Sequence, residues 1–231
     1  MIDKIHKLNY FSNSGIIYIE DIPRVTSILS EMLYEEKLMY WSNSLGFKRM
    51  SYKQAVTQAA HIGSIVHETA EDILKNKNLE EYSGLYYNNR EINNSLYSFF
   101  SWYKEVKDKI EVLSMEVSVF DNAFRGTYDL LARINGKIYL VDFKTSNHIG
   151  YRYFLQLAAY RYLIKTNFNI DIDGCLILQL SKKKIEFNEY VLDFSNPEHL
   201  KFIEECQEAF FSIVYAYHYR KFIESRFKKI F

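Results

Sequence analysis

The sequence is short of the residues that mark several common protein classes. Of its 231 residues only two are cysteines, Cys175 and Cys206, and they lie far apart without the spacing of a metal site. Two thiols cannot supply the four ligands of an iron–sulfur cluster, and few cysteines are typical of proteins from a reducing compartment. We therefore expect an intracellular, cytoplasmic protein that holds no iron–sulfur cluster.

Excess charge and long apolar runs are also lacking. The chain has 29 basic and 29 acidic residues, so its formal net charge is zero. This balance provides no global basic field of the kind that marks many nucleic-acid-binding proteins, although a local basic surface would suffice. No apolar run has the length of a membrane span, and the N-terminus lacks the apolar region of a signal peptide. We expect no membrane association.

Proline and glycine are scarce too, with two and eight residues, and no stretch has the composition of an interdomain linker. The length suits one domain with a substantial core. We expect a single domain over residues 1–231, with a mainly helical region at 23–110, a sheet core at 111–194 and a C-terminal helix at 195–231.

The most informative stretch is residues 125–145, which predicts a β-hairpin. Two strand-like runs flank an Asn-Gly pair at 135–136, the strongest short-range signal for a two-residue hairpin turn. Such a turn fixes the register, so residues equally distant from it face each other. Asp129 and Asp142 meet this condition, which predicts that their Cβ atoms lie about 4.5–5.5 Å apart.

Two facing carboxylates repel each other unless a cation lies between them. Alternation along the strand places Lys144 on the same face as Asp142, which itself lies in an apolar run where an unpaired carboxylate is costly. A slipped register or a simple Asp–Lys surface pair is the alternative, but that pair leaves the second acid unexplained. The pattern favours a hard divalent cation, Mg²⁺ or Mn²⁺, held by oxygen ligands with the lysine beside it.

Four short motifs, in chain order, resemble the core signature of the PD-(D/E)XK nucleases. They are the segments 63–67, 126–129, 142–145 and 156–160. The first ends in His67, and this upstream histidine is similar to the RecB-type exonuclease branch. Segment 23–29 resembles the opening of the mitochondrial genome maintenance exonucleases and their phage relatives, which is compatible with a phage-encoded protein.

The resemblance implies an α/β fold with a central mixed β-sheet flanked by helices, as in restriction endonucleases, and an N-terminal helical insertion. The order of elements agrees, because strand 174–181 follows a helical crossover and suits a parallel neighbour of the hairpin. We predict helices at 26–41, 51–76, 91–109, 149–166 and 196–231, and strands at 111–121, 174–181 and 186–193 in addition to the hairpin.

The resemblance also assigns site residues. It implies a metal shell made of His67, Glu116, Asp129, Asp142 and the main-chain carbonyl of Phe143. From the residues alone, His67 could equally be a packing histidine, and Glu116 could lie on the solvent face of an edge strand. Strict alternation places Glu116 on the same face as Val112 and Ser114, away from Met115.

Three further side chains complete the implied catalytic set. Lys144 positions or deprotonates the attacking water, or stabilises the transition-state charge. Gln156 and Tyr160, one helical turn apart, orient this lysine or contact the DNA backbone by the same resemblance; otherwise they are ordinary interior polar residues.

The predicted function is that of a metal-dependent DNA exonuclease acting on single strands or DNA ends in replication, recombination or repair, with a recombination or replication protein as its partner. By resemblance to the mitochondrial exonucleases, a helical pair over residues 23–60 would roof the site. Trp41, Trp102 and the loop 77–90 would offer rings for base stacking. The alternatives are a structure-specific or sequence-specific endonuclease, a catalytically idle DNA-binding protein of the same fold, or an enzyme that processes RNA or nucleotides.

Overall fold

A five-stranded sheet within residues 110–193 organises the chain. The computed structural model describes residues 22–33, 51–76, 79–82 and 84–231. The described helices are α1 (Val25–Met32), α2 (Tyr52–Asn76), α3 (Arg90–Val106), α4 (Tyr151–Phe168) and α5 (Pro197–Ile230), with a short 3₁₀ turn at Glu80–Tyr82. The strands are β1 (Ile110–Phe120), β2 (Arg125–Ile134), β3 (Lys137–Lys144), β4 (Gly174–Leu180) and β5 (Phe187–Asp193).

The predicted hairpin is confirmed in both its turn and its register. Asn135 and Gly136 have φ angles of 51° and 83°, the positive values that the Asn-Gly turn requires. The pairing of β2 with β3 runs from Ile134–Lys137 to Leu130–Val141, as the turn dictates. The sequence therefore located the two strands that carry the acids.

The mixed character of the sheet is confirmed as well. The strand order is β1-β2-β3-β4-β5, in which β3 and β4 are parallel and the other neighbours are antiparallel. Helix α4 forms the crossover between the two parallel strands, and the predicted bounds of β1, β4 and β5 are within one residue of the observed ones. The carboxyl ends of β3 and β4 thus share one edge of the sheet, the usual place for a site in an α/β fold.

Two separate cores cover the two faces of the sheet. Cys175 and Ile177 belong to the core under α1, α4 and α5, whereas Leu176 and Leu178 belong to the core under α2 and α3. Because side chains alternate along a strand, these cores lie on opposite faces. The two helices expected within residues 23–60 are both present in the described part, but α1 and α2 pack on different faces of the sheet.

The ends of two N-terminal helices follow from local chemistry. Ser51 and Gln54 form a reciprocal capping box, in which each backbone amide donates to the other side chain at 3.0 and 3.2 Å. Helix α1 begins at Val25, one residue before the predicted start, after the extended Arg24. Helix α1 also ends at Met32, short of the predicted residue 41, and Trp41 lies outside the described residues.

Trp102 is not available for base stacking. Its side chain is fully buried, packs on Phe99 and Phe143, and donates a 2.7 Å hydrogen bond from Nε1 to Glu189 Oε1. The expectation of a stacking role for this ring is wrong, because the apolar face of α3 belongs to the core. Within the described ranges, no helix has the length and apolarity needed to cross a bilayer.

Candidate functional site

Three side chains from three elements converge at the edge of the sheet where β3 ends. His67 extends from α2, Glu116 from β1 and Asp129 from β2, and one potential ligand atom of each lies within 4.8 Å of the other two. These residues are separated by up to 62 positions in the sequence. The fold therefore assembles a compact cluster of one imidazole and two carboxylates, the kind of group that can hold a metal ion.

Glu116 reaches the cluster through an irregular backbone. It lies between the pairs Met115–Leu130 and Val117–Tyr128, hence opposite Asp129, and its φ angle is 50°. A register shift between Val112 and Ser114 precedes it. Val112 and Met115 consequently pack against the same core, contrary to the predicted alternation. A non-glycine residue in the left-handed region costs of order 1–3 kcal/mol, and such strain concentrates at functional sites.

His67 sits between the acids and the end of β3. Its Nδ1 lies 3.7 Å from Asp129 Oδ2 and 4.0 Å from Glu116 Oε1, while Nε2 lies 3.1 Å from the Phe143 carbonyl oxygen. Burial of the ring opposes its charged form, but the Glu116 and Asp129 carboxylates together outweigh burial and raise the pKa of His67. With a hydrogen on Nε2, the ring donates to the Phe143 carbonyl, which therefore lies beside the cluster.

Asp129 is fixed by the backbone of the neighbouring strand. The regular β2–β3 pairing ends at Leu130–Val141, and just beyond it the Phe143 amide donates a 2.7 Å hydrogen bond to Asp129 Oδ2. This bond holds the carboxylate beside His67, whose Nδ1 lies 3.7 Å from the same Oδ2.

Asp142 belongs to a second, buried group rather than to the three-residue cluster. Only 2% of Asp142 is exposed; Gln156 Nε2 donates to its Oδ1 at 2.9 Å, and Lys144 Nζ lies 2.6 Å from its Oδ2. Burial raises the pKa of Asp142 to about 6, an effect that the Lys144 charge opposes and the Asp129 charge adds to. Gln156 thus contacts the carboxylate that pairs with Lys144.

Lys144 is held in its charged form by the same acids. Burial opposes the charge, but Asp142 and Asp129 outweigh it and raise the pKa of Lys144. Its Nζ also lies 5.2 Å from the centre of the Tyr153 ring. Tyr153 is a contact that the sequence argument missed, and the signal for it was its position one helical turn before Gln156.

Tyr160 supports the strand that carries Asp129. Its side chain is buried, with 4% exposed, and its hydroxyl group shares a hydrogen bond with the backbone of Thr127. A Cβ atom at Gly126 would lie 2.3 Å from Tyr160 Cε1. The glycine of this motif is therefore required for the close approach of helix α4 to β2.

We expect Gly126→Ala to destabilise the protein by roughly 1–3 kcal/mol, because the rigid Tyr160 ring must move to admit the methyl group. The midpoint of thermal unfolding should fall by roughly 2–4 °C per kcal/mol for a chain of this size. Gly84→Ala is the matched control, since nothing lies within 4 Å of a Cβ placed there. Equal unfolding temperatures for the two variants would contradict the packing argument.

The donor atoms fit a hard divalent cation. Carboxylate oxygens, a carbonyl oxygen and one imidazole nitrogen suit Mg²⁺ or Mn²⁺ better than a thiophilic metal. Among the described residues, no group makes a hydrogen bond of regular geometry to the buried Asp142 Oδ2, although Lys144 lies within ion-pair distance. A buried acceptor of this kind is expected beside a cation site.

Comparison with protein families identifies the superfamily of this chain. A family model for the PD-(D/E)XK nuclease superfamily matches residues 38–222, about four fifths of the chain. A comparison with curated proteins gives no match. Among solved structures, the crystal structure of SSO0001 is similar with 13% identity and a TM-score of 0.37, over 92% of this chain and 85% of that one. This last likeness is too low to support any inference.

Proposed function

Because the chain belongs to the PD-(D/E)XK nuclease superfamily, we propose that it is a metal-dependent deoxyribonuclease that hydrolyses phosphodiester bonds of DNA. The observation that supports this most is the cluster of His67, Glu116 and Asp129 at the carboxyl end of β3, next to the Asp142–Lys144 pair. In a catalytically idle protein of the same fold, such a grouping of acids would lower the stability without any gain in function.

The proposed ligand set divides between the two groups. His67, Glu116 and Asp129 would hold the cation on one side, and Asp142 and the Phe143 carbonyl would complete the set from β3. When bound, Mg²⁺ or Mn²⁺ would polarise the scissile phosphate with its positive charge and would lower the pKa of a bound water. Gln156 keeps Asp142 in place through its 2.9 Å hydrogen bond.

Lys144 is the side chain best placed to act on the reacting phosphate. Its ammonium group lies at the end of β3, held by Asp142 and by the face of Tyr153. A positioned cation stabilises the negative charge that grows on the phosphate in the transition state, or it donates to and orients the attacking water.

We further propose exonuclease action on single-stranded DNA ends during replication, recombination or repair, together with a recombination or replication protein. Support comes from the resemblance of segments 23–29 and 63–67 to the RecB-type exonucleases. A structure-specific endonuclease is the second candidate. It is favoured by the packing of α1 and α2 on opposite faces of the sheet, because these helices do not pair as a roof over the site.

Digestion of end-labelled DNA tests these proposals. Linear single-stranded DNA should be degraded in Mg²⁺ or Mn²⁺ and stay intact in EDTA, while covalently closed single-stranded circles survive because they have no end. If circles are nicked as fast as linear strands are shortened, the exonuclease proposal is wrong and the endonuclease proposal takes its place. Failure to cut any of linear single strands, duplexes or circles with either metal would refute the nuclease proposal.

A further inference from the structure

The turn between β4 and β5, residues 181–186, carries three consecutive lysines and is called the basic turn below. Its one acid, Glu186, pairs with Lys184 at 2.8 Å. Within the described ranges, Lys182 and Lys183 have no ion-pair partner, so three cations against one acid leave two positive charges in excess. In a chain whose formal net charge is zero, such a local excess favours an anionic partner.

The basic turn is fixed by buried polar side chains of α3. Asn94 Nδ2 donates to the Lys182 carbonyl at 2.8 Å, and Ser98 Oγ accepts from the Glu186 amide at 2.8 Å. Ser95 Oγ makes a third bond, at 3.3 Å, to the last carbonyl of β4. All three side chains are buried, and burying polar groups is unfavourable unless they are hydrogen-bonded. Helix α3 therefore gives up apolar packing to hold this turn, which a merely solvated run of lysines does not require.

Hydrogen bonds within the basic turn restrict it further. The Ser181 amide donates to the Glu186 carbonyl at 3.1 Å, which closes the turn. The hydroxyl group of Ser181 accepts from the amides of Lys183 and Lys184 at 3.3 and 3.5 Å. The backbone is thus held in one conformation while the two lysines are exposed. A preorganised group of charges binds a ligand at a lower cost in conformational entropy than a mobile one.

Lys182 is the lysine that gains most from an anionic ligand. It is half-buried, and burial lowers the pKa of its ammonium group, an effect that the Glu91 carboxylate offsets only in part. A nearby opposite charge stabilises the charged form of such a group. A phosphate beside Lys182 would supply that charge.

The basic turn lies at the edge of the sheet that carries the candidate site. Lys144, at the end of β3, pairs in parallel with Gln179 of β4. Lys182 follows Gln179 by three residues, which spans at most roughly 10 Å of backbone. The turn contributes no residue to the metal cluster. A strand whose scissile phosphate lies at Lys144 can therefore reach the turn with one of its neighbouring phosphates.

We propose that the basic turn binds the phosphate backbone of the DNA strand a few nucleotides away from the cleaved bond. Lys182 and Lys183 make the contacts, because Lys184 is engaged by Glu186. The identity of the ligand rests on the proposed nuclease function. The turn would hold the strand in register with the metal cluster while another phosphate is cut.

The test measures binding of a fluorescently labelled single-stranded DNA oligonucleotide by anisotropy in EDTA, where cleavage does not interfere. The double variant Lys182→Gln, Lys183→Gln should bind roughly tenfold more weakly. Its slope of log affinity against log salt should become shallower by about 1.4, the value for two lost phosphate contacts on a single strand. The variant should stay folded, because the bonds from α3 are made to the backbone of the turn.

The matched control is the double variant Lys107→Gln, Lys109→Gln, which removes the same net charge. These exposed lysines precede β1, and the Asn135 amide donates to the Lys109 carbonyl at 3.2 Å. They therefore lie beside the hairpin turn, at the opposite edge of the sheet, and the control should bind as the wild type does. Equal affinity and equal salt slope for the two double variants would overturn the proposal, since only overall charge would then matter.

Failure of the basic turn and failure of the nuclease remain distinguishable. If the wild type cuts DNA but the Lys182, Lys183 variant binds like the control, only the phosphate site is refuted. If that variant binds weakly but the wild type cuts no DNA substrate in Mg²⁺ or Mn²⁺, only the nuclease is refuted, and the turn remains a DNA-binding site.

Discussion

Replacing Asp129 with asparagine should reduce DNA cleavage at least about a thousandfold, because loss of several kcal/mol of metal-mediated charge stabilisation corresponds to that factor. Asparagine can still accept the 2.7 Å hydrogen bond from the Phe143 amide, so the fold should be retained. What is lost is the negative charge facing His67 and Glu116. Rates of cleavage of a labelled single strand and Mn²⁺ affinity by calorimetry should fall together.

The matched control is Asp171→Asn, which removes an exposed carboxylate that pairs with Lys165 at the far end of α4. It should cleave DNA at the wild-type rate. An Asp129→Asn enzyme with normal cleavage, or one that loses cleavage yet keeps full Mn²⁺ affinity, would show that Asp129 is not a metal ligand.

Replacing Lys144 with methionine should cost activity and also make stability strongly dependent on pH. We expect cleavage to fall by roughly a hundredfold to a thousandfold, as when one preorganised donor to a transition-state charge is removed. The buried Asp142 carboxylate would lose its ion-pair partner at 2.6 Å. Removing one member of a buried pair costs roughly 3 kcal/mol, or roughly 6–12 °C in the unfolding midpoint.

The sign of the pH effect follows from Asp142. Its pKa in the folded wild type is about 6, above the ordinary 3.8. Ionisation is therefore less favourable in the folded than in the unfolded protein, and the free energy of unfolding decreases as the pH rises through this range. Without Lys144 this pKa must rise further, because the lysine charge opposes the effect of burial. The unfolding midpoint of Lys144→Met, measured in EDTA, should therefore lie well below the wild type at pH 8 and approach it at pH 5.

A double variant provides the control for this result. Adding Asp142→Asn to Lys144→Met removes the buried charge and should restore most of the stability at pH 8 without restoring cleavage. A Lys144→Met protein with the same loss of stability at pH 5 and pH 8 would show that the lysine contributes by packing and not by its charge.

The parts of the fold that the sequence predicted are those set by local rules. The Asn-Gly turn alone determined the β2–β3 register, and the helical crossover determined the parallel pairing of β3 with β4. The order of the motifs also brought His67 together with Asp129 and the Phe143 carbonyl, which lie 3.1–3.7 Å from the His67 ring nitrogens. In each case neighbouring residues in the sequence, or one turn type, contain the geometric information.

The remaining features depend on contacts that no local pattern encodes. Alternation could not place Glu116, because the register shift after Val112 and its positive φ break the period of two. The split of the acids into a cluster and a buried Asp142–Lys144 pair depends on Gln156 approaching from α4. Arg24 and Arg125, about 100 positions apart, are joined by a parallel backbone bridge that no local pattern predicts.

Because the backbone at Glu116 is left-handed, selection for stability and selection for DNA cleavage favour different residues at this position. Glycine adopts a positive φ without the penalty of a Cβ atom, of order 1 kcal/mol, so selection for heat resistance alone would favour glycine at this position. The same exchange would delete one of the two carboxylates from the cluster with His67. A laboratory screen for heat resistance alone would thus favour loss of Glu116 from the candidate site, unless every round were also scored for DNA cleavage.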